Sequence, residues 1–341
     1  MSGRDNYARA IGFKTPAYLP ILIGCEFSAF YEQDQAKFER IRQLQSRIPD
    51  DVRMLGPSPK PVVEPSTEGG VTRWVDHWGT GWENDGHGAK TEMYPLEAGY
   101  HLIANHAFPD PYAEGLFAAA EETLAQRKGR YMLGSVWFTL FERLWMLRGF
   151  NNMLVDPYVE TENWAALRDR VLEYNLAMID QWIERNADGV YFSDDWGSQQ
   201  GLLMEPDDWR TYYKPSYEAM FQRVRDGGAH VWMHLCGNVT AIIPDLIDIG
   251  LNVLNPVQPQ AMDVRALSRE FGGKVCFFGG ADVQGTLIYG TPDDVKREAD
   301  ELVELFGCFN GGYIASTSHS IMPETPLDNV IALYEAFLAH N

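Results

Sequence analysis

The sequence has no apolar run approaching the roughly 18 residues that a membrane helix needs, which argues against a membrane anchor. The first residues, MSGRDNYARAIGFKTP, are polar and carry no signal-peptide core. Cysteine is scarce. Cys25, Cys236, Cys276 and Cys308 stand far apart, so a disulfide-stapled scaffold is excluded and a reducing cytoplasm is the natural location. Basic residues are also few, 28 Lys and Arg against 48 Asp and Glu, for a formal net charge of -20. That balance argues against nucleic acid, whose phosphates demand a basic face. It also disfavours polyanionic small molecules, unless local arginines offset the field. No linker, low-complexity segment or tandem repeat divides the chain. Residues 1–341 therefore read as a single domain, with an N-terminal extension of about 1–70.

What the sequence does have is alternation. GRYMLGSVWF, NADGVYFSDD, GAHVWMHLCG, LNVLNPVQ, KVCFFGGAD and GGYIASTSH read as six short apolar strands. Between them, Leu140–Arg148, Trp164–Glu184, TAIIPDLIDIG, DVRALSREFGG and TPDDVKREADELVELFG show helical spacing. Thr291-Pro292-Asp293-Asp294 is a helix start, combining a capping hydroxyl, a first-turn proline and acids that suit the dipole. Gly250 and Gly272-Gly273 stop helices. Two further strands are expected upstream, near AYLPILIGCEF and GGVTRWVDHWG. Eight strands in this order predict an α/β fold, a (β/α)8 TIM barrel.

In such a barrel the chemistry gathers at the C-terminal ends of the strands. There the predicted strands carry Asp194 and Asp195, His234 and Cys236, Asn255 and Gln258, Asp282, and Ser318 and His319. His234 and Cys236 are two apart, so on a strand both point the same way. Imidazole nitrogen and thiolate sulfur are strong zinc donors, and a catalytic zinc keeps one position open. His319 is the expected third ligand, with Asp195 or Glu324 in reserve. The bland alternative is a buried cysteine beside a hydrogen-bonded histidine. Cys276 reads as plain core, and Cys25 and Cys308 as inert.

Asp194 and Asp195 are adjacent, so one should face the barrel mouth and the other the helix layer. The inward carboxylate would ligate metal, protonate a leaving oxygen or position substrate. Otherwise one caps a helix and the other pairs with an arginine. Aromatics are dense, with 10 Trp and 16 Tyr. Trp74, Trp78 and Trp82 fall in a stretch that reads as an ordered loop, and Trp137, Phe138, Phe141 and Trp145 follow a strand. Aromatic walls suit flat ligands. Trp78, Trp137 and Phe138, with Asn255, Gln258 and Asp282, are the candidate substrate contacts. His77 and His87 show no metal spacing.

YFSDDWGSQQGLLMEPDDWRTYYKP, HLCGNV, IPDLIDIGLNVLNPVQ, KVCFFGGADVQGTLIYGTPDDVKREAD and GGYIASTSHSIMPETPLDNVIALYEAF, with VDHWGTGW upstream, carry a resemblance. In order and spacing, over about residues 70 to 338, they resemble the uroporphyrinogen decarboxylase superfamily, and within it the corrinoid-linked methyltransferases. The resemblance implies a (β/α)8 barrel. True decarboxylases carry an arginine-rich R-Q-A-G-R-Y segment that nothing in residues 1–60 matches. The H-x-C at His234 and Cys236 looks like the zinc motif of the methyltransferases, including those using methylcobamide and coenzyme M. Where their third ligand is a cysteine, this chain has His319. The residue is then either a zinc ligand or a substrate contact, like the decarboxylase histidine of a similar N-x-G-H segment.

The function implied is a zinc-dependent methyltransferase moving methyl between a small substrate and the corrinoid (cobalamin) of a partner protein. A methoxylated aromatic (an O-demethylase reaction) or a thiol would be that substrate. The alternatives are a metal-free decarboxylase with a cationic pocket and a non-catalytic corrinoid- or ligand-binding barrel. Assembly as a homodimer is left open.

Overall fold

The computed structural model describes residues 1–24, 34–86 and 88–341, so Cys25 and His87 lie outside the described residues. Along the chain comes β1 (Val52–Leu55), followed by β2 (Val63–Glu68), β3 (Val71–Val75), β4 (Gly81–Asn84) and β5 (Ala89–Met93). After these come β6 (Tyr131–Val136), β7 (Gly189–Ser193), β8 (His230–His234), β9 (Val253–Asn255), β10 (Cys276–Ala281) and β11 (Tyr313–Thr317). β1 and β6 to β11 form a seven-stranded parallel sheet in sequence order, and β2 to β5 form a separate antiparallel sheet.

The six strands expected from residue 130 onward are all present. β6, β7, β10 and β11 are buried along their whole length, as parallel strands covered on both faces must be. Winding of this kind is TIM-barrel-like. The eighth place differs from expectation. AYLPILIGCEF contributes one parallel bridge, Ile21 to Ala315, with the Leu22 N–H donating to the Ala315 carbonyl at 3.0 Å. No ladder joins it to β1 among the described residues.

GGVTRWVDHWG is not a barrel strand. Its β3 pairs antiparallel with β2 and β4. Gly69 and Gly70, with φ of 60° and 83°, form the two-residue turn between Glu68 and Val71, a conformation that suits glycine at both sites. The strand pairing with β6 is instead VRML, three residues at least partly exposed and the buried Leu55, in the segment expected to be an extension. So short a strand carries too little periodicity to be read from sequence.

Helices cover the sheet. The Thr161–Glu184 helix comes so close to β6 that a Cβ on Gly134 would lie 2.3 Å from Trp182. There the Trp182 indole donates to the Ser135 carbonyl at 3.0 Å. The Pro292–Gly307 helix starts on the expected capping threonine, Thr291, which forms a capping box with Asp294. Parallel register aligns the strand ends, with Ser193 opposite His234 and His234 opposite Asn255.

Candidate metal centre and neighbouring cavity

His234 is the last residue of β8, and the chain then turns through Leu235 to Cys236. The Cys236 Sγ lies 3.2 Å from His234 Nε2. His319, just past β11, completes a group whose three donor atoms all lie within 4.8 Å of one another. The Asn255 Oδ1, in register on β9, is 2.6 Å from His234 Nδ1, and the Tyr191 hydroxyl is 3.3 Å from the same nitrogen. Tyr191 also donates to Asn255 at 2.6 Å, while the Asn255 amide donates to the Phe278 carbonyl at 2.9 Å. These bonds hold the ring with Nε2 toward Cys236. Support of the far nitrogen is the usual arrangement around a metal-bound histidine.

Two imidazoles and a thiol suit zinc chemically, and three protein donors leave a position for substrate. Burial, then the Asp195 carboxylate, pushes the Cys236 thiol well up from its ordinary range. A bound dication would favour the thiolate. Burial and the neighbouring His234 lower the His319 pKa, which favours the neutral ring a metal needs. Glu324 is exposed and outside this group.

The two aspartates part as their spacing requires. Asp194 is fully buried and accepts from the backbone N–H groups of Leu140, Phe141 and Glu142 at 3.0, 2.8 and 2.6 Å, and from the Tyr217 hydroxyl. It caps the Phe141–Arg148 helix, which has no cap of its own. Asp195 faces the donor group. Its Oδ1 accepts the Cys236 N–H at 2.8 Å and lies 3.9 Å from His234 Nε2.

Other expected contacts serve as supports. Gln258 accepts the Gly237 N–H, holding the turn after Cys236. Asp282 accepts from Gln260 at 2.5 Å and from the Gln284 N–H at 2.9 Å. Cys276 is buried in the core, and Cys308 is exposed and apart from the site. One acid was not anticipated. Glu142 is buried beside Ser193, and burial together with Asp194 and Asp195 pushes its carboxyl up to about 9. Its signal was available, since Glu142-Arg143 interrupts an otherwise apolar stretch just after a barrel strand.

Trp78, Trp137 and Phe138 line one cavity of about 440 Å³ at the ends of β1 and β6. Trp74 and Trp82, expected in a loop, face each other across β3 and β4 with rings stacked 6.0 Å apart. Trp137 links this cavity to the donor group, because its ring meets Tyr191 edge-on at 5.5 Å.

A match to the uroporphyrinogen decarboxylase (URO-D) family covers residues 114–340. The chain is 27% identical over 184 residues to the uroporphyrinogen decarboxylase of Pelodictyon phaeoclathratiforme, covering 52% of this chain and 49% of that protein. It is also 27% identical over 177 residues to the methylcobamide:CoM methyltransferase MtaA of Methanosarcina barkeri, again 52% of this chain and 49% of the relative. The chain thus spans about half the length of the curated relatives it matches. In fold it is similar to a methyltransferase from Methanosarcina mazei, with a TM-score of 0.71 at 16% identity and 99% of each chain covered. A seven-stranded TIM-barrel-like sheet and a match running through every strand from β6 onward agree: the chain belongs to the uroporphyrinogen decarboxylase family, and its relatives include methyltransferases as well as decarboxylases.

Proposed function

We propose that this protein is a methyltransferase that moves a methyl group between a small substrate and the corrinoid of a partner protein, with zinc held by His234, Cys236 and His319. The observation that carries the reading is the convergence of those three donors within 4.8 Å at the ends of β8 and β11, beside Asp195. The likeness to a methylcobamide:CoM methyltransferase supports it. Zinc at this place would supply Lewis acidity, binding a thiol as thiolate or withdrawing charge from an ether oxygen.

The chain's own residues do the rest. Asn255 and Tyr191 orient His234, and Asp195 holds the backbone of Cys236. Demethylation of an ether would break the O–CH3 bond, with the partner's corrinoid as the methyl acceptor, and would leave an oxyanion that takes a proton. Glu142, whose carboxyl is pushed up to about 9 by burial and by Asp194 and Asp195, is a candidate to give one. The corrinoid-binding partner would dock where the strand ends open, and residues 1–341 would act as one domain. Among the described residues no helix is long and apolar enough to cross a membrane.

The test is spectroscopic, following loss of reduced corrinoid and appearance of its methylated form with methoxylated aromatics or methylated thiols. Activity should need added corrinoid and should vanish on zinc removal and return on reconstitution. Methyl transfer undiminished by thorough zinc removal would sink the metal assignment. Steady release of carbon dioxide from a carboxylated substrate, without corrinoid, would favour a decarboxylase instead.

A further inference from the structure

The cavity of about 440 Å³ has polar groups that packing does not explain. Its volume falls within the usual range for small-molecule sites, and its walls are mostly aromatic. Trp82 stacks on Phe138 at 5.6 Å and on Trp74 at 6.0 Å, which fixes one aromatic wall, and Trp137, 48% exposed, is the large ring of the lining most open to the cavity. Such walls select planar ligands by contact area and ring stacking.

Arg143 is buried in this wall, 3% exposed, with its guanidinium 5.1 Å from the Trp78 ring and 5.6 Å from Phe138. Burying a guanidinium is costly unless its charge is met. One amino nitrogen donates to Asp76 at 2.9 Å. That carboxylate is shared, because it also accepts from the Trp78 and Thr80 N–H groups at 2.9 Å each and from the Trp82 indole at 3.2 Å. Asp76 therefore steers the guanidinium while spreading its own charge over three other donors. Arg143 offers five N–H donors in a planar fork, and among the described residues its hydrogen bond goes to Asp76 alone.

A second observation is independent of the arginine. Ser135, on β6, lines the same cavity, is 2% exposed, and its hydroxyl has no hydrogen-bond partner. A buried hydroxyl left unpaired is destabilising, and a ligand oxygen in the cavity would satisfy it.

We infer that this cavity binds a planar aromatic carboxylate, with the ring against Trp137 and Phe138, the carboxylate on Arg143 and a ring oxygen substituent on Ser135. The guanidinium fork matches a carboxylate in shape and charge. In a protein of net charge -20, a built-in cation is also what admits an anion. The inference rests on the methyl-transfer reading for the ligand's fate, a methoxyl group on such a ring being the methyl donor, but not for its binding.

Binding is measured on the protein as purified, without corrinoid, by tryptophan fluorescence and calorimetry. The probes are benzoate, 3- and 4-methoxybenzoate, methyl 4-methoxybenzoate and cyclohexanecarboxylate. The benzoates should bind at least about tenfold more tightly than the neutral ester, which lacks the charge, and than the cyclohexane acid, which lacks the flat ring. Arg143→Lys, which keeps the charge but loses the fork, should weaken the benzoates about tenfold with little effect on the ester. Ser135→Ala should weaken the methoxybenzoates relative to unsubstituted benzoate. The wild-type comparison needs no variant to fold. Equal binding of acid and ester, or no binding of either methoxybenzoate at millimolar concentration, overturns the inference. Tight benzoate binding without methyl transfer would overturn the proposed function alone, and methyl transfer from thiols without benzoate binding would overturn this inference alone.

Discussion

Asn255 Oδ1 lies 2.6 Å from His234 Nδ1, and that contact decides which imidazole nitrogen faces Cys236. Carried by the neighbouring strand in register, the carboxamide keeps the proton on Nδ1 and the lone pair on Nε2. Its own amide is tied to the Phe278 carbonyl at 2.9 Å, so the orientation is not free to flip.

Asn255→Ala should therefore weaken zinc binding by about 10- to 100-fold, as loss of such outer support does. A competition titration against a chromophoric chelator reads this directly. Affinity unchanged from wild type would show that the Asn255 contact does not support a ligand.

His319 divides the two roles open to it. As a ligand, His319→Cys should keep about one zinc per chain, since thiolate replaces imidazole, and His319→Ala should lose most of it. Metal analysis of the purified variants decides. Equal zinc in wild type and His319→Ala would move the residue to the substrate side.

Asp194 and Asp195 should fail in different ways. Asp194→Ala strips a cap from three backbone N–H groups and the Tyr217 hydroxyl. With buried donors left unpaired, a loss of about 3 kcal/mol or more is expected in urea unfolding. Asp195→Asn should leave the unfolding midpoint in place and lower turnover by about 10²-fold. Matching losses of stability in both variants would remove Asp195 from the chemistry.

Burial holds His77 neutral, with its pKa lowered to about 4 and Arg143 adding to the effect; burial lowers His106 and His230 as well. An unfolded histidine titrates near 6.5, so below that pH the unfolded chain binds the extra protons. Stability should then fall as pH drops from about 6.5 toward 4, by up to about 1.4 kcal/mol per pH unit for each such group. His77→Gln should flatten this slope relative to wild type when unfolding is measured at pH 5 and pH 7. Parallel slopes would show that His77 titrates normally in the folded protein.

Much of the fold was legible because strand and helix periodicities are local. An apolar run that ends in polar residues announces a buried strand and the place where its side chains meet solvent. For the same reason His234 and Cys236 could be placed on one side from their spacing alone. Contacts that close over long separations in the chain were decided by tertiary structure. That β3 belongs to an antiparallel sheet, and that the four residues of β1 take the place beside β6, depends on pairing partners rather than on either segment's pattern. Spacing told that Asp194 and Asp195 diverge, but only the position of the Phe141–Arg148 helix, with its unpaired N–H groups, settled which one is consumed as a cap. Glu142, Arg143 and Ser135 acquire their chemistry from burial, and burial is a property of the assembled layers rather than of any local stretch of sequence.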